Sequence, residues 1–129
     1  FPELTPQERV AADYELLGLP AHGHAMSLLR ETLEAQGVTW AGALPSLANG
    51  TRVRVAGVLV MRQQPPTAKG MVFITLEDEE GLVNVSVRPD VFERYREIIK
   101  TAGALIVDGA VQTRYGVTHV IATRLSALG

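Results

Sequence analysis

The stretch from Arg52 to Arg88, RVRVAGVLVMRQQPPTAKGMVFITLEDEEGLVNVSVR, does most to limit what this chain can fold into. It predicts three consecutive β-strands. The first covers about Thr51 to Met61, and Gly57 within it permits a sharp coil. A polar loop from Gln63 to Gly70 follows, in which Pro65 and Pro66 supply no ladder donors. The second strand is about Met71 to Glu77, Asp78-Glu79-Glu80-Gly81 turns the chain, and the third is about Leu82 to Arg88. Alternation with period two separates the faces of the last two strands. Val72, Ile74 and Leu76, with Val83, Val85 and Val87, form an aliphatic face that must be core. The opposite face carries Met71, Phe73, Thr75 and Glu77, then Leu82, Asn84, Ser86 and Arg88.

Downstream, Pro89 and Asp90 open a helix to about Lys100, with Phe92, Tyr95 and Ile99 on one stripe. A fourth strand covers about Ala104 to Gln112, a hairpin loop Thr113 to Gly116, and a fifth strand Val117 to Leu125. Both faces of the last two strands carry apolar groups, so period leaves their facing open. Three strands, a helix and two strands is the layout of an OB-fold. This five-stranded Greek-key barrel commonly holds single-stranded nucleic acid or oligosaccharide on its second and third strands. Upstream, Thr5, Pro6 and Glu8 start a helix that carries Val10, Tyr14 and Leu17 and stops at Gly18. A second helix runs from about Ala25 to Gln36, with Met26, Leu29 and Leu33 on its stripe and Gly37 as its stop. The connector from Trp40 to Gly50 is rich in glycine, proline and asparagine. The expected fold is therefore mainly β with helices: a helical segment over 1–50, packing on or linking to the barrel, and an OB barrel over 51–129.

The 129 residues include no cysteine, which excludes disulfides and thiolate metal sites and suits a reducing cytoplasm. No apolar run approaches the ~20 residues that span a bilayer, so no membrane partner is expected. The chain opens on Phe1 rather than Met, which points to a piece of a longer protein. Net charge is −2 and unevenly placed: residues 1–50 carry six acids and two bases, the remainder eight acids and ten bases. Nucleic-acid binding must then rest on where the bases point, not on bulk charge.

Phe73, on the open side of the second strand, either stacks a base or packs under a neighbouring element. Thr75, Asn84 and Ser86 can hydrogen-bond bases or simply keep an exposed sheet wetted. Six bases are placed to rim a groove: Arg54, Arg62, Lys69, Arg88, Arg114 and Arg124. Arg62 and Lys69 fall in the loop joining the first two strands and Arg114 in the loop joining the last two. Those loops grip ligand in OB-folds, and phosphate contacts there make binding salt-sensitive. Arg54 and Arg124 have the alternative of pairing with local acids. Tyr115, beside His119, either stacks on a nucleotide or is structural. Arg94, Arg96 and Lys100 read as the solvated side of their helix. Asp78-Glu79-Glu80 has the spacing of a solvated tight turn rather than a metal cluster. His22 and His24 lack a third ligand, so no metal or cofactor is expected. No nucleophile–base pair or phosphate loop is present, so the chain is not expected to be an enzyme.

The string AKGMVFITLEDEEGLVNVSVRPDVFERYREII resembles the OB domain near the C-terminus of bacterial C-family DNA polymerases, the group containing the replicative polymerase III alpha subunit. The ending GVTHVIATRL continues the likeness, and DYELLGLPAHGHAMSLLRETLEAQGV resembles the segment that precedes that domain. In the family this segment often reads Gly-Leu-Ser…His-Pro-Met; here Gly18-Leu19-Pro20 and His24-Ala25-Met26 stand in those places. The combination is most similar to the error-prone, translesion branch. The resemblance implies a non-catalytic module near single-stranded template, working beside other domains of the parent polymerase and its replication or mutasome partners. Two other functions fit the same fold: a protein-docking module, and an anticodon-binding domain of a tRNA synthetase, which the His-x-Met segment does not suit.

Overall fold

The computed structural model describes residues 23–128, with side chains from residue 29 onward. The expected first helix, His22, and the side chains of His24 and Met26 lie outside the described residues. In chain order the elements are α1 (Gly23–Ala35), a 3-10 turn (Ala41–Ser46), β1 (Arg52–Gln63), a second 3-10 turn (Pro66–Ala68), β2 (Val72–Asp78), β3 (Gly81–Val87), α2 (Pro89–Thr101), β4 (Ala104–Arg114) and β5 (Val117–Ala127).

The strands close into a barrel in the order β1-β2-β3-β5-β4. All neighbours are antiparallel except β3 and β5, which run parallel. This is the five-stranded OB barrel. β1 is shared between two partners: Arg52 to Val58 pair with β4, and Val58 to Gln63 pair with β2. Two devices let it bend. A bulge lies between Leu59 and Met61. At Gly57 the β2 backbone approaches so closely that a Cβ would sit 2.6 Å from the Glu77 carbonyl oxygen. Glycine is needed there for proximity, not for an unusual dihedral.

The interior is aliphatic. Val72, Ile74, Leu76, Val83, Val85 and Val87 meet Leu105, Val107, Val111, Val120 and Leu125 in one buried cluster. Phe92 and Ile99 of α2 join that cluster, as their spacing predicted. The ambiguous facing of β4 also resolves. Leu105 and Val107 point inward, whereas Ile106 packs outward in a second cluster with Leu33, Val38, Trp40, Ala56 and Val58. The outer surface of β1 and β4 is apolar because α1 and Trp40 cover it.

A polar clasp holds that cover down. Arg30 of α1 bonds Glu79 and Glu80 at the β2–β3 turn at 3.1 and 2.9 Å, bonds Glu34, and lies over the Trp40 ring. Trp40 Nε1–H donates to Glu34. Asp78 is buried and accepts from the backbone N–H groups of Ala41, Glu80 and Gly81. The acidic turn expected to be merely solvated is thus the anchor of the N-terminal segment. The reason is long-range: a cation 50 positions away in sequence reaches it.

Candidate nucleic-acid interface

Strand register assembles the open face. Across the barrel, Met61, Thr75, Asn84, His119 and Gln112 stand opposite one another in turn, and beside them runs Gln63, Phe73, Ser86, Ile121 and Ala110. Because paired residues share a face, these are outward positions on the part of the barrel that α1 does not cover. Phe73 and Thr75 are half-buried; Asn84 is exposed. Met61 and Leu82 are large apolar residues more than half exposed here. Met61 was not legible in the sequence, since the bulge at Val60 reverses the alternation of β1 midway. Gln112 was hidden by the apolar character of both faces of β4 and β5, and the sequence placed His119 only beside the last hairpin.

Cations bracket this face. At one end Lys69 and Arg88 are the chain neighbours of Gly70 and Pro89, which pack so closely that a Cβ on Gly70 would lie 3.1 Å from the proline ring. Both cations are exposed. At the other end Tyr115 and Gly116 form a two-residue hairpin tip with φ of 53° and 76°. Tyr115 is 92% exposed, and the Arg114 guanidinium lies over its ring. From the tip to the level of Phe73 is roughly 20 Å along β5, taking six residues at about 3.3 Å each.

Three expected site residues are placed otherwise. Ser86 is 5% exposed, placed in register between Phe73 and Ile121, so little of it reaches the surface. Arg62 lies within β1 rather than in the loop, on the inward-facing register opposite Ile74. Its Nη1 donates to the Ile99 carbonyl at 2.8 Å, capping the last turn of α2. Arg54 forms a two-pronged pair with Asp108 at 2.7 and 3.2 Å and donates to the Gln36 carbonyl, on the side of the barrel away from Phe73. The pair raises the Arg54 pKa. Phe73, Thr75, Asn84, Lys69, Arg88, Arg114 and Tyr115 remain together as one surface.

This surface can stack an aromatic base at each end, at Phe73 and Tyr115. It offers amide and hydroxyl groups between them and carries few charges except at its rims. Among the described residues no group of three or more histidines, cysteines or carboxylates is placed to hold a metal. No helix among them is long and apolar enough to cross a membrane.

A closed five-stranded barrel in this strand order defines an OB-fold, and the family match agrees. Residues 53–128 match the tRNA anti-codon family, described as an OB-fold nucleic acid binding domain, and the chain belongs to it. The chain is 44% identical over 128 residues to the error-prone DNA polymerase of Caulobacter vibrioides, covering 99% of this chain and 12% of that protein. It is 41% identical to that of Mycolicibacterium paratuberculosis, again over 99% of this chain and 12% of the relative. The chain therefore corresponds to about one eighth of these proteins, and the resemblance to the error-prone polymerase branch holds over both its helical and barrel parts. Among solved structures, asparaginyl-tRNA synthetase from Pyrococcus horikoshii shares the fold at TM-score 0.60 and 23% identity, over 70% of this chain and 22% of that one. A small single-stranded DNA binding protein from Mycoplasma pneumoniae does so at TM-score 0.51 and 12% identity, over 62% and 93%.

Proposed function

We propose that the chain is the single-stranded DNA-binding module of an error-prone DNA polymerase, non-catalytic itself and guiding template in damage-tolerant synthesis. The observation that carries this is the asymmetry of the barrel's outer surface. The apolar part of the β1–β4 side is covered by α1 and Trp40, while the β2–β3–β5 side stays open with an aromatic and cations at both ends. The names of the relatives favour a polymerase over a synthetase as the parent. On this reading the parent works in the bacterial cytoplasm beside its other domains and replication accessory proteins, in DNA repair.

Binding to a labelled oligothymidylate tests the choice of face. Phe73→Ala removes one stacking platform and should weaken binding by about 1–3 kcal/mol, roughly 5- to 150-fold. Arg114→Ala should weaken it less and reduce its salt dependence. Unchanged affinity in both variants would place the ligand elsewhere. Exposed Met61 and Leu82 favour a second reading, in which the face docks a protein partner. Capture of a replication protein that survives nuclease and high salt would support that reading instead.

A further inference from the structure

A cleft of about 610 Å³ opens where the end of α1 meets β1, β4 and β5, lined by Gly37, Thr39, Arg52, Arg54, Asp108 and Arg124 among others. Asp108 binds and orients Arg54. Arg52 and Arg124 are exposed and have no ion-pair partner among the described residues. The lining of the cleft therefore brings three arginines together with one aspartate, and Thr39 is also among its residues. Planar, unpaired guanidinium groups around a polar hollow suit the oxygens of a phosphate, which can take two parallel N–H donors from each.

Register links this cleft to the open face. The row Phe73, Ser86, Ile121 and Ala110 continues to Arg52 on β1. Four steps between strands of about 4.8 Å put the cleft roughly 19 Å from Phe73 around the barrel. Closing the circuit brings the row back to β1 eleven residues before Gln63, where it began, so the path winds round the barrel rather than meeting itself.

We infer that the Arg52–Arg124 cleft binds backbone phosphates of the same DNA strand whose base stacks on Phe73. The strand leaves the face over Ile121 and enters the cleft. This rests on single-stranded DNA occupying the Phe73 face.

The test is R52Q/R124Q in the 129-residue chain. It is titrated by fluorescence anisotropy against a labelled oligothymidylate of about 16 nucleotides, the upper end of OB-fold site sizes, at several salt concentrations. Two phosphate contacts at about 0.7 each predict that the slope of log affinity against log salt falls in magnitude by about 1.4, with a roughly tenfold loss of affinity at low salt. R52K/R124K, which keeps the charge, should retain the slope. The unfolding midpoint of the glutamine variant should match the parent, because both arginines are exposed. An unchanged slope in R52Q/R124Q, with a parent that binds and an F73A variant that is weakened, overturns the cleft and leaves the face standing. A parent that binds no oligothymidylate overturns both. If a polyglutamate peptide shifts the Gly37 and Gly109 amide resonances and oligothymidylate does not, the cleft serves a protein and the inference fails.

Discussion

Tyr115 occupies the first central position of a two-residue hairpin with φ 53°, a conformation that favours asparagine or glycine. A large aromatic there carries strain of about 1 kcal/mol and exposes its ring almost entirely to water. Tyr115→Asn should therefore raise stability by about 0.5–1 kcal/mol in denaturant unfolding while weakening single-strand binding. A variant both more stable and equally tight would show that the tyrosine contributes nothing to binding. Residue roles were legible where they depended on neighbours in sequence. The aliphatic set of β2 and β3 and the open position of Phe73 follow from alternation alone. Arg62 and Ser86 were not legible, because what occupies them comes from elsewhere: the Ile99 carbonyl of α2, and Ile121 of β5 in parallel register.

At the scale of elements, α1 is held to the barrel by apolar burial as well as by the Arg30 clasp. Leu33 is 1% exposed, within the cluster formed by Trp40, Ala56 and Val58. Leu33→Ala should destabilise by about 2–4 kcal/mol and speed amide exchange in α1 first, leaving β2 and β3 protected until global unfolding. Equal loss of protection everywhere would mean that helix and barrel unfold as one unit. Among the described residues, the order of helices and strands, the stops at Gly37 and Gly81 and the position of α2 were all readable from period and turn chemistry. The curvature was not. The bulges at Val60 and between Asp108 and Gly109 arise from barrel closure. At Gly109 a Cβ would lie 2.2 Å from the Ile121 carbonyl oxygen, a contact invisible until β4 and β5 are paired.

For the whole molecule, charge is arranged locally rather than in bulk. Burial pushes the Asp78 carboxyl above its ordinary value, with the N–H donors of Ala41, Glu80 and Gly81 pulling the other way. An acid with a raised folded pKa favours folding below its unfolded value and loses that contribution as pH rises through the folded one. Glu34 runs opposite: Arg30, then Trp40 Nε1–H, hold it below its ordinary value, so its contribution is lost as pH falls through that lowered value. Acidification through the carboxylate range thus gains from Asp78 and loses from Glu34, two contributions of opposite sign. Asp78→Asn removes that gain, and its unfolding midpoint should fall more steeply with acid than the parent's. Parallel midpoint curves would show that Asp78 does not titrate differently on folding.

The same local arrangement sets how strongly the molecule holds nucleic acid. A net charge of −2 gives no general attraction, so binding depends on the cations that bracket the Phe73 face. Titration of the 129-residue chain with labelled single-stranded DNA, at about 20 and about 150 mM salt, measures this directly. Template binding at the rimmed face predicts saturable association at the lower concentration that weakens about tenfold or more at the higher. No association at the lower salt, or an affinity that salt leaves unchanged, would contradict it.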